Sequence, residues 1–244
     1  GTAFGAMAAV FHILNHATFK AALFMSAGIV DHAVHTRDIR RLGGLRHLMP
    51  VTFVIATLAA LSMAGIPLLN GFLSKEMMLE ETLHTKLFDM PWLVPGLATF
   101  GALFSAAYSF RLIGHTFLGK ERDDYPDHPH DPKPGLWLPP ALLIIPVVVI
   151  GLAPFLAEPF VKLVTASVLG GAAEMPSTHL KIWHGLGPAL YMSIIAVVGG
   201  LILLFVTNAK LASIIILGFP LVIIPILVYG RRVRQLSRLS QDRV

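Results

Sequence analysis

The sequence predicts an all-α polytopic membrane bundle of about six spans, one of them a helix broken at Gly65–Gly71. Three observations predict it. Of 244 residues, 55% are hydrophobic and only 14% charged, against roughly 25% charged in soluble domains. Several apolar runs approach the roughly 20 residues that a helix needs to cross a bilayer. The alternating ten-residue segments of a β-barrel are absent from the sequence.

The first span covers about Ala6–Val30 and leads into a polar loop, Asp31–His47, with Arg37, Arg40, Arg41, Arg46 and a Gly43-Gly44 turn. Inside it His12, His16 and Lys20 recur at spacing four. At about 100° per residue each step of four overshoots a turn by roughly 40°, so the three lie on one face. They climb about 12 Å from first to last. Ionisable groups inside an apolar helix are expensive and mark ion or proton paths. Histidine titrates near neutral pH, and a desolvated lysine can release its proton, so the combination suits a relay. The competing reading is polar packing against neighbouring helices. Asn15 lies one residue off this face and is expected only to orient it.

The second span starts near Val51, after Pro50, and runs apolar to Ala64. Gly65-Ile66-Pro67 and Asn70-Gly71 then interrupt it before it resumes as FLSKEMMLEETLH. Pro67 lacks a backbone donor and its ring clashes with the preceding turn, so a mid-membrane break is expected. Broken helices are tolerated where the freed backbone groups face protein or a cavity, and they mark ion sites in transporters. Lys75 and Glu76 follow the break directly and join the candidate path. Glu80 and His84 continue the spacing of four from Glu76, but a solvated helix end suits them better. Asp31 and His35, at the exit of the first span, suit an interfacial cap better than a proton funnel.

The third span, about Trp92–Leu118, carries Tyr108, Arg111 and His115 on one face, read as a headgroup anchor. A charged, proline-rich loop follows over residues 120–135, expected to be extended and solvated. Its DHPHD segment, Asp127–Asp131, is weak as a metal site, and no metal is assigned. The fourth span covers about Leu136–Leu156. A weaker stretch over 158–185 is expected to be an extramembrane connection with an interfacial helix. Spans at Leu186–Val206 and Leu211–Tyr229 complete the 136–230 region, the last kinked by Pro220 and Pro225. A basic tail occupies 231–244.

The net charge of +5 is not a nucleic-acid signal, because Arg231, Arg232, Arg234, Arg238 and Arg243 crowd that tail, as in a membrane-flanking anchor. Positive-inside reasoning leaves topology ambiguous, since five spans separate this tail from the equally basic Asp31–His47 loop. With no cysteine, disulfides and thiolate chemistry are excluded. No Walker loop, dinucleotide fingerprint or HExxH motif occurs, and no cofactor is expected. The chain opens GTAFGAMAAV, without Met or a cleavable leader, as expected of a fragment.

FHILNHATFKAALFMSAGIVDHAVHTRDIRRLGGL and the following MAGIPLLNGFLSKEMMLEE resemble the proton-translocating antiporter module. That family comprises the large subunits of Mrp-type multisubunit Na⁺(K⁺)/H⁺ antiporters and the antiporter-like subunits of respiratory complex I. TRDIRRLGGL, GFLSKE and LKIWHG at 180–185 resemble the Mrp branch more closely. The likeness is specific over about Phe11–Gly119 and looser to Val206.

The resemblance implies two inverted five-helix halves, each with a broken helix, joined by a hydrated mid-membrane axis. By motif, Lys75 takes the place of the basic residue on the second broken helix. His12, His16 and Lys20 take the place of the polar row beside it. The first half-module has no counterpart in this chain, so it is expected to be a C-terminal part that does not complete an ion path alone.

Partners are implied: other subunits of a hetero-oligomeric complex, the lipid bilayer, and H⁺ with Na⁺ or K⁺ as transported ions, in a bacterial inner membrane. Three functions stay open. One is a part of a cation/proton antiporter, which is no enzyme. Another is a proton-pumping subunit of an NADH–quinone oxidoreductase, and the third a truncated, non-transporting scaffold.

Overall fold

The computed structural model describes residues 2–170, 179–182, 185–213 and 215–217. Helix α1, Ala3–Val34, has 32 residues, a length of about 48 Å against a hydrocarbon core of about 30 Å. It is longer than expected at both ends. The Thr2 side chain caps its first turn by accepting from Gly5 N, and His35 closes its last turn in the left-handed region. Its buried stripe runs through Met7, Phe11, Asn15, Thr18, Ala22, Ser26, Ile29 and Ala33, at steps of three and four. Much of the rest of its surface is apolar as well, with Ile13, Phe24 and Met25 exposed, as on a helix covered by lipid or protein rather than water.

The second span is two helices, α2 (Pro50–Ala64) and α3 (Asn70–Leu83), joined by residues 65–69. The expected break at Gly65–Gly71 is there. Gly65 has φ +88°, which L side chains rarely adopt, and its N–H closes α2 on the Leu61 and Ser62 carbonyls. Helix α4 (Leu93–Phe117) returns across the bundle, and α5 (Pro134–Leu152) crosses again. The sequence places Pro139 and Pro140 at the edge of a span; they lie inside α5 together with Pro146. The segment after α5 is the short helix α6 (Glu158–Val168), as anticipated for the connection, and α7 (Pro188–Thr207) is the next span.

Among the described residues four helices (α1, α4, α5 and α7) are long and apolar enough to cross a membrane, and α2 is a shorter apolar helix. The all-α, multi-pass membrane bundle holds. The kinks at Pro220 and Pro225, most of the sixth span and the 231–244 tail lie outside the described residues.

Hydrogen bonds across the loops fix which ends share a face. Thr2 Oγ1 donates to Glu81 Oε1 at 2.5 Å, placing the start of α1 beside the end of α3. At the opposite face Gly44 N and Arg46 N donate to the Leu118 and Phe117 carbonyls. The 120–135 loop is largely exposed, as expected, but it is pinned at several points. Tyr125 OH donates to the Gly43 carbonyl, Arg122 Nη1 to the Arg40 carbonyl at 2.9 Å, and Asp127 pairs with His35 at 3.3 Å. Asp131 caps α2, accepting from Val51 N at 2.7 Å, Thr52 N at 3.0 Å and Thr52 Oγ1 at 2.6 Å. Two acids of the DHPHD segment are thus engaged in holding loops together.

The largest apolar core gathers Phe19, Ile55, Ala59, Ile66, Phe110 and Val147 around the break. Small residues allow close helix approach there, as is common in membrane bundles.

Candidate functional site

The break is held by a network of neutral polar side chains that the sequence barely signals. Asn70, fully buried at the start of α3, accepts from Ser62 Oγ at 2.8 Å and donates through Nδ2 to Thr18 Oγ1 at 3.0 Å. Asn15 Nδ2 donates to the Asn70 carbonyl at 3.0 Å, and Thr18 Oγ1 to the Asn15 carbonyl at 2.6 Å. Gly71 N donates to Ser62 Oγ at 3.0 Å. A Cβ on Gly71 would stand 2.1 Å from the Ser62 carbonyl oxygen, so only glycine lets the two half-helices approach this closely. Asn15 therefore does more than orient its neighbours: it ties α1 to the broken helix.

Lys75 lies one turn past the break. Its Nζ donates to the Met63 carbonyl and to Ser105 Oγ at 3.2 Å, and Ser105 Oγ itself reaches Met63 O at 3.3 Å. Met63 belongs to the last turn of α2, where carbonyls have no intrahelical partner and the helix dipole is negative. A cation is favoured there. Glu76, next in sequence, is 3% exposed. Its side chain leaves α3 about 100° round from that of Lys75.

The row on α1 reaches this place from the side. His12 Nδ1 is 3.1 Å from Ser74 Oγ. Ser74 Oγ is also 3.4 Å from the Asn70 carbonyl and 3.5 Å from that of Gly71. A hydroxyl that can donate to either His12 or a carbonyl can reverse its bond as the imidazole changes tautomer, which a relay requires. The His12 and His16 rings are 5.7 Å apart between centroids. Lys20 Nζ is 5.9 Å from the ring centroids of both Phe24 and Tyr108, within cation–π range. His12 and Lys75 are within electrostatic reach of each other, as are Lys75 and Lys20.

The three members of the row differ in surroundings. His12 and Lys20 are half-buried, and His16 is exposed on the outer side of α1. Tyr108, expected at the headgroups, instead sits at the level of Lys20.

The weaker candidates lie apart from the break. Glu80 is half-buried near the end of α3, and His84 caps that helix, exposed. Asp31 accepts from Arg37 Nε at 2.8 Å and His35 meets Asp127, both at the opposite face. Among the described residues no three His, Asp or Glu side chains converge as metal ligands would.

Residues 1–104 match the family described as NADH:quinone oxidoreductase/Mrp antiporter, transmembrane. The chain is 45% identical over 215 residues to a probable K⁺/H⁺ antiporter subunit of Rhizobium meliloti (strain 1021), covering 87% of this chain and 21% of that protein. It is 40% identical over 209 residues to a Na⁺/H⁺ antiporter subunit of Bacillus subtilis (strain 168), covering 81% and 26%. Among solved structures, the Mrp complex from Dietzia sp. DQ12-45-1b matches all of this chain and 25% of its own, at TM-score 0.73 and 32% identity. The chain thus spans about a quarter or less of the relatives it matches. The resemblance read from the sequence holds, and the solved structure that matches is an Mrp complex.

Proposed function

We propose, from the match of residues 1–104 to the transmembrane family of NADH:quinone oxidoreductase and Mrp antiporters, that this chain supplies one section of the proton path in a membrane subunit of a monovalent cation/proton antiporter. The observation that carries the reading is the seat of Lys75. A lysine amine rests on the open carbonyl end of a half-helix, in mid-bundle, within electrostatic reach of Lys20 and His12. The seat offers an ammonium the negative end of the half-helix dipole and two hydrogen bonds, which suits a group that loses and regains a proton.

Protons pass along the row His16–His12–Ser74 and between Lys20 and Lys75. The movement is coupled to Na⁺ or K⁺ in the other direction and involves no bond chemistry. No cofactor takes part. The exposed apolar and ionisable outer side of α1, with Ile13, His16 and Phe24, faces other protein of a multisubunit assembly in the bacterial inner membrane.

The second reading is a proton-pumping subunit of a quinone-reducing complex, favoured by the shared family. The antiporter names of relatives at 39–45% identity favour the first.

The test is Lys75→Ala and, separately, Lys20→Ala in the full complex, assayed by cation-dependent proton movement in everted membrane vesicles. Both are expected to abolish it at normal assembly. Undiminished exchange in both variants would sink the relay and leave a scaffold.

A further inference from the structure

A small cavity lies between α3, α4 and α7, lined by Gly65, Phe72, Lys75, Ala102, Ser193 and Ala196. Its volume is about 10 Å³, comparable with the roughly 10–15 Å³ that one water requires. Two of the residues lining it carry polar groups. Lys75 has three ammonium N–H groups; two are engaged, with Met63 O and Ser105 Oγ. Ser193 is 8% exposed, and its buried hydroxyl has no hydrogen-bond partner among the described residues.

Most hydroxyls on these helices are paired, Thr57 Oγ1 on α2 being another without a partner among the described residues. Ser26, Ser109, Thr165 and Thr207 each donate to the carbonyl four residues earlier. The same option is open to Ser193, and it is not taken. A buried hydroxyl left unpaired costs about 1–3 kcal/mol, so a partner in the cavity is the physical expectation.

We propose that this cavity binds one water bridging Lys75 Nζ and Ser193 Oγ, and that Ser193 is a positioning residue for proton exchange at Lys75. The inference rests on the antiporter reading above. The water accepts from the third Lys75 N–H and is joined to Ser193 by an O–H···O bond. Two polar partners are the minimum for a buried water. The remaining walls, such as Phe72 and Ala196, are apolar and confine it to this bridge.

The placement also gives the exchange a direction. Ser193 is five residues into α7, on the side where α7 begins and α3 ends. The water therefore lies between Lys75 and the face of Thr2 and Glu81, away from the strapped loops. His12 and Lys20 approach from α1; the water approaches from α7.

The test uses the full antiporter complex in everted vesicles, with Ser193→Ala, Ser193→Thr and Ala196→Val. Losing a positioned proton partner is expected to slow maximal exchange about tenfold, below the 10²–10⁴ of a direct acid–base group. The apparent KM for Na⁺ should not change in Ser193→Ala, and Ser193→Thr should restore the rate. Ala196→Val, which fills the cavity, should reproduce the loss. Cryo-electron microscopy of the wild-type complex, at a resolution showing other buried waters, should show density between the two atoms whether or not a variant assembles.

A wild-type rate in Ser193→Ala, a raised KM at unchanged rate, or no density would each overturn the bridge. If Lys75→Ala is inactive while Ser193→Ala is normal, only the water falls. If Lys75→Ala and Lys20→Ala both stay active, the antiporter path itself falls.

Discussion

Gly71→Ala is a single methyl placed where the two half-helices touch. Its Cβ would stand 2.1 Å from the Ser62 carbonyl oxygen and 2.8 Å from both the Ser62 carbonyl carbon and Oγ. Ordinary contact begins at 3.4 Å, so the backbone must open by about 1.3 Å. The obstacle is backbone, which no rotamer change relieves. Overpacking of this kind costs about 1–3 kcal/mol.

Opening also stretches Ser62 Oγ–Asn70 Oδ1, now 2.8 Å, and Gly71 N–Ser62 Oγ, now 3.0 Å. Each bond contributes about 0.5–1.5 kcal/mol net. Together the substitution is expected to cost about 4 kcal/mol. Met63, whose carbonyl seats Lys75, adjoins Ser62, so the amine loses its alignment too.

The assay is thermal melting of the detergent-purified complex together with exchange in vesicles. The control is Gly28→Ala, where the new Cβ meets nothing within 4 Å and helix propensity improves by about 1 kcal/mol. Gly71→Ala is expected to melt well below Gly28→Ala and to exchange poorly. If the two variants melt together and exchange alike, the close approach at the break is not what holds it.

Asp131→Ala removes three bonds to the start of α2. A loss near 1–2 kcal/mol is expected, as for a helix cap, read as a lower melting temperature that Asp131→Asn partly restores. At α6, burial alone would push the Glu158 carboxyl up. Bonds from Lys162 Nζ at 2.6 Å, His179 at 2.8 Å and Leu180 N at 3.0 Å prevail and hold it at about 2, below its usual 4.5. A depressed carboxylate contributes stability above its unfolded value and loses it as pH falls towards the folded one. Docking of residues 179–182 on α6 is therefore expected to be full at pH 7 and to weaken between pH 4.5 and 2. Hydrogen exchange at Leu180, corrected for intrinsic rate, measures it; Glu158→Gln should exchange fast at pH 7 and show no such acid dependence.

What is legible in the sequence follows from cost. His12, His16, Lys20 and Lys75 stand out because ionisable groups are expensive in an apolar helix. The break is legible because Gly65, Pro67 and Gly71 act on the backbone locally. Asn15, Thr18, Ser62, Asn70 and Ser74 are individually cheap and common, so nothing marks them until packing brings three helices together. Asn15 is the sharpest case. One residue from the ionisable row is about 100° of rotation, and that rotation separates the buried stripe of α1 from its half-buried edge. Tyr108 is misplaced for a related reason. Grouping it with Arg111 and His115 ignores the roughly two and a half turns that separate it from the end of α4.

The α2–α3 pillar is pinned at both extremities, by Asp131 at Val51 and Thr52 and by Thr2 at Glu81. Mechanically it is a beam with fixed ends and a soft midpoint, since residues 65–69 lack a continuous helical ladder. Any sideways load on α1, α4 or α7 is then taken up as bending at that midpoint. The carbonyl that seats the Lys75 ammonium belongs to the last residue but one of the upper arm. Flexure of a few tenths of an ångström would lengthen or shorten that one bond before it disturbed either anchored end.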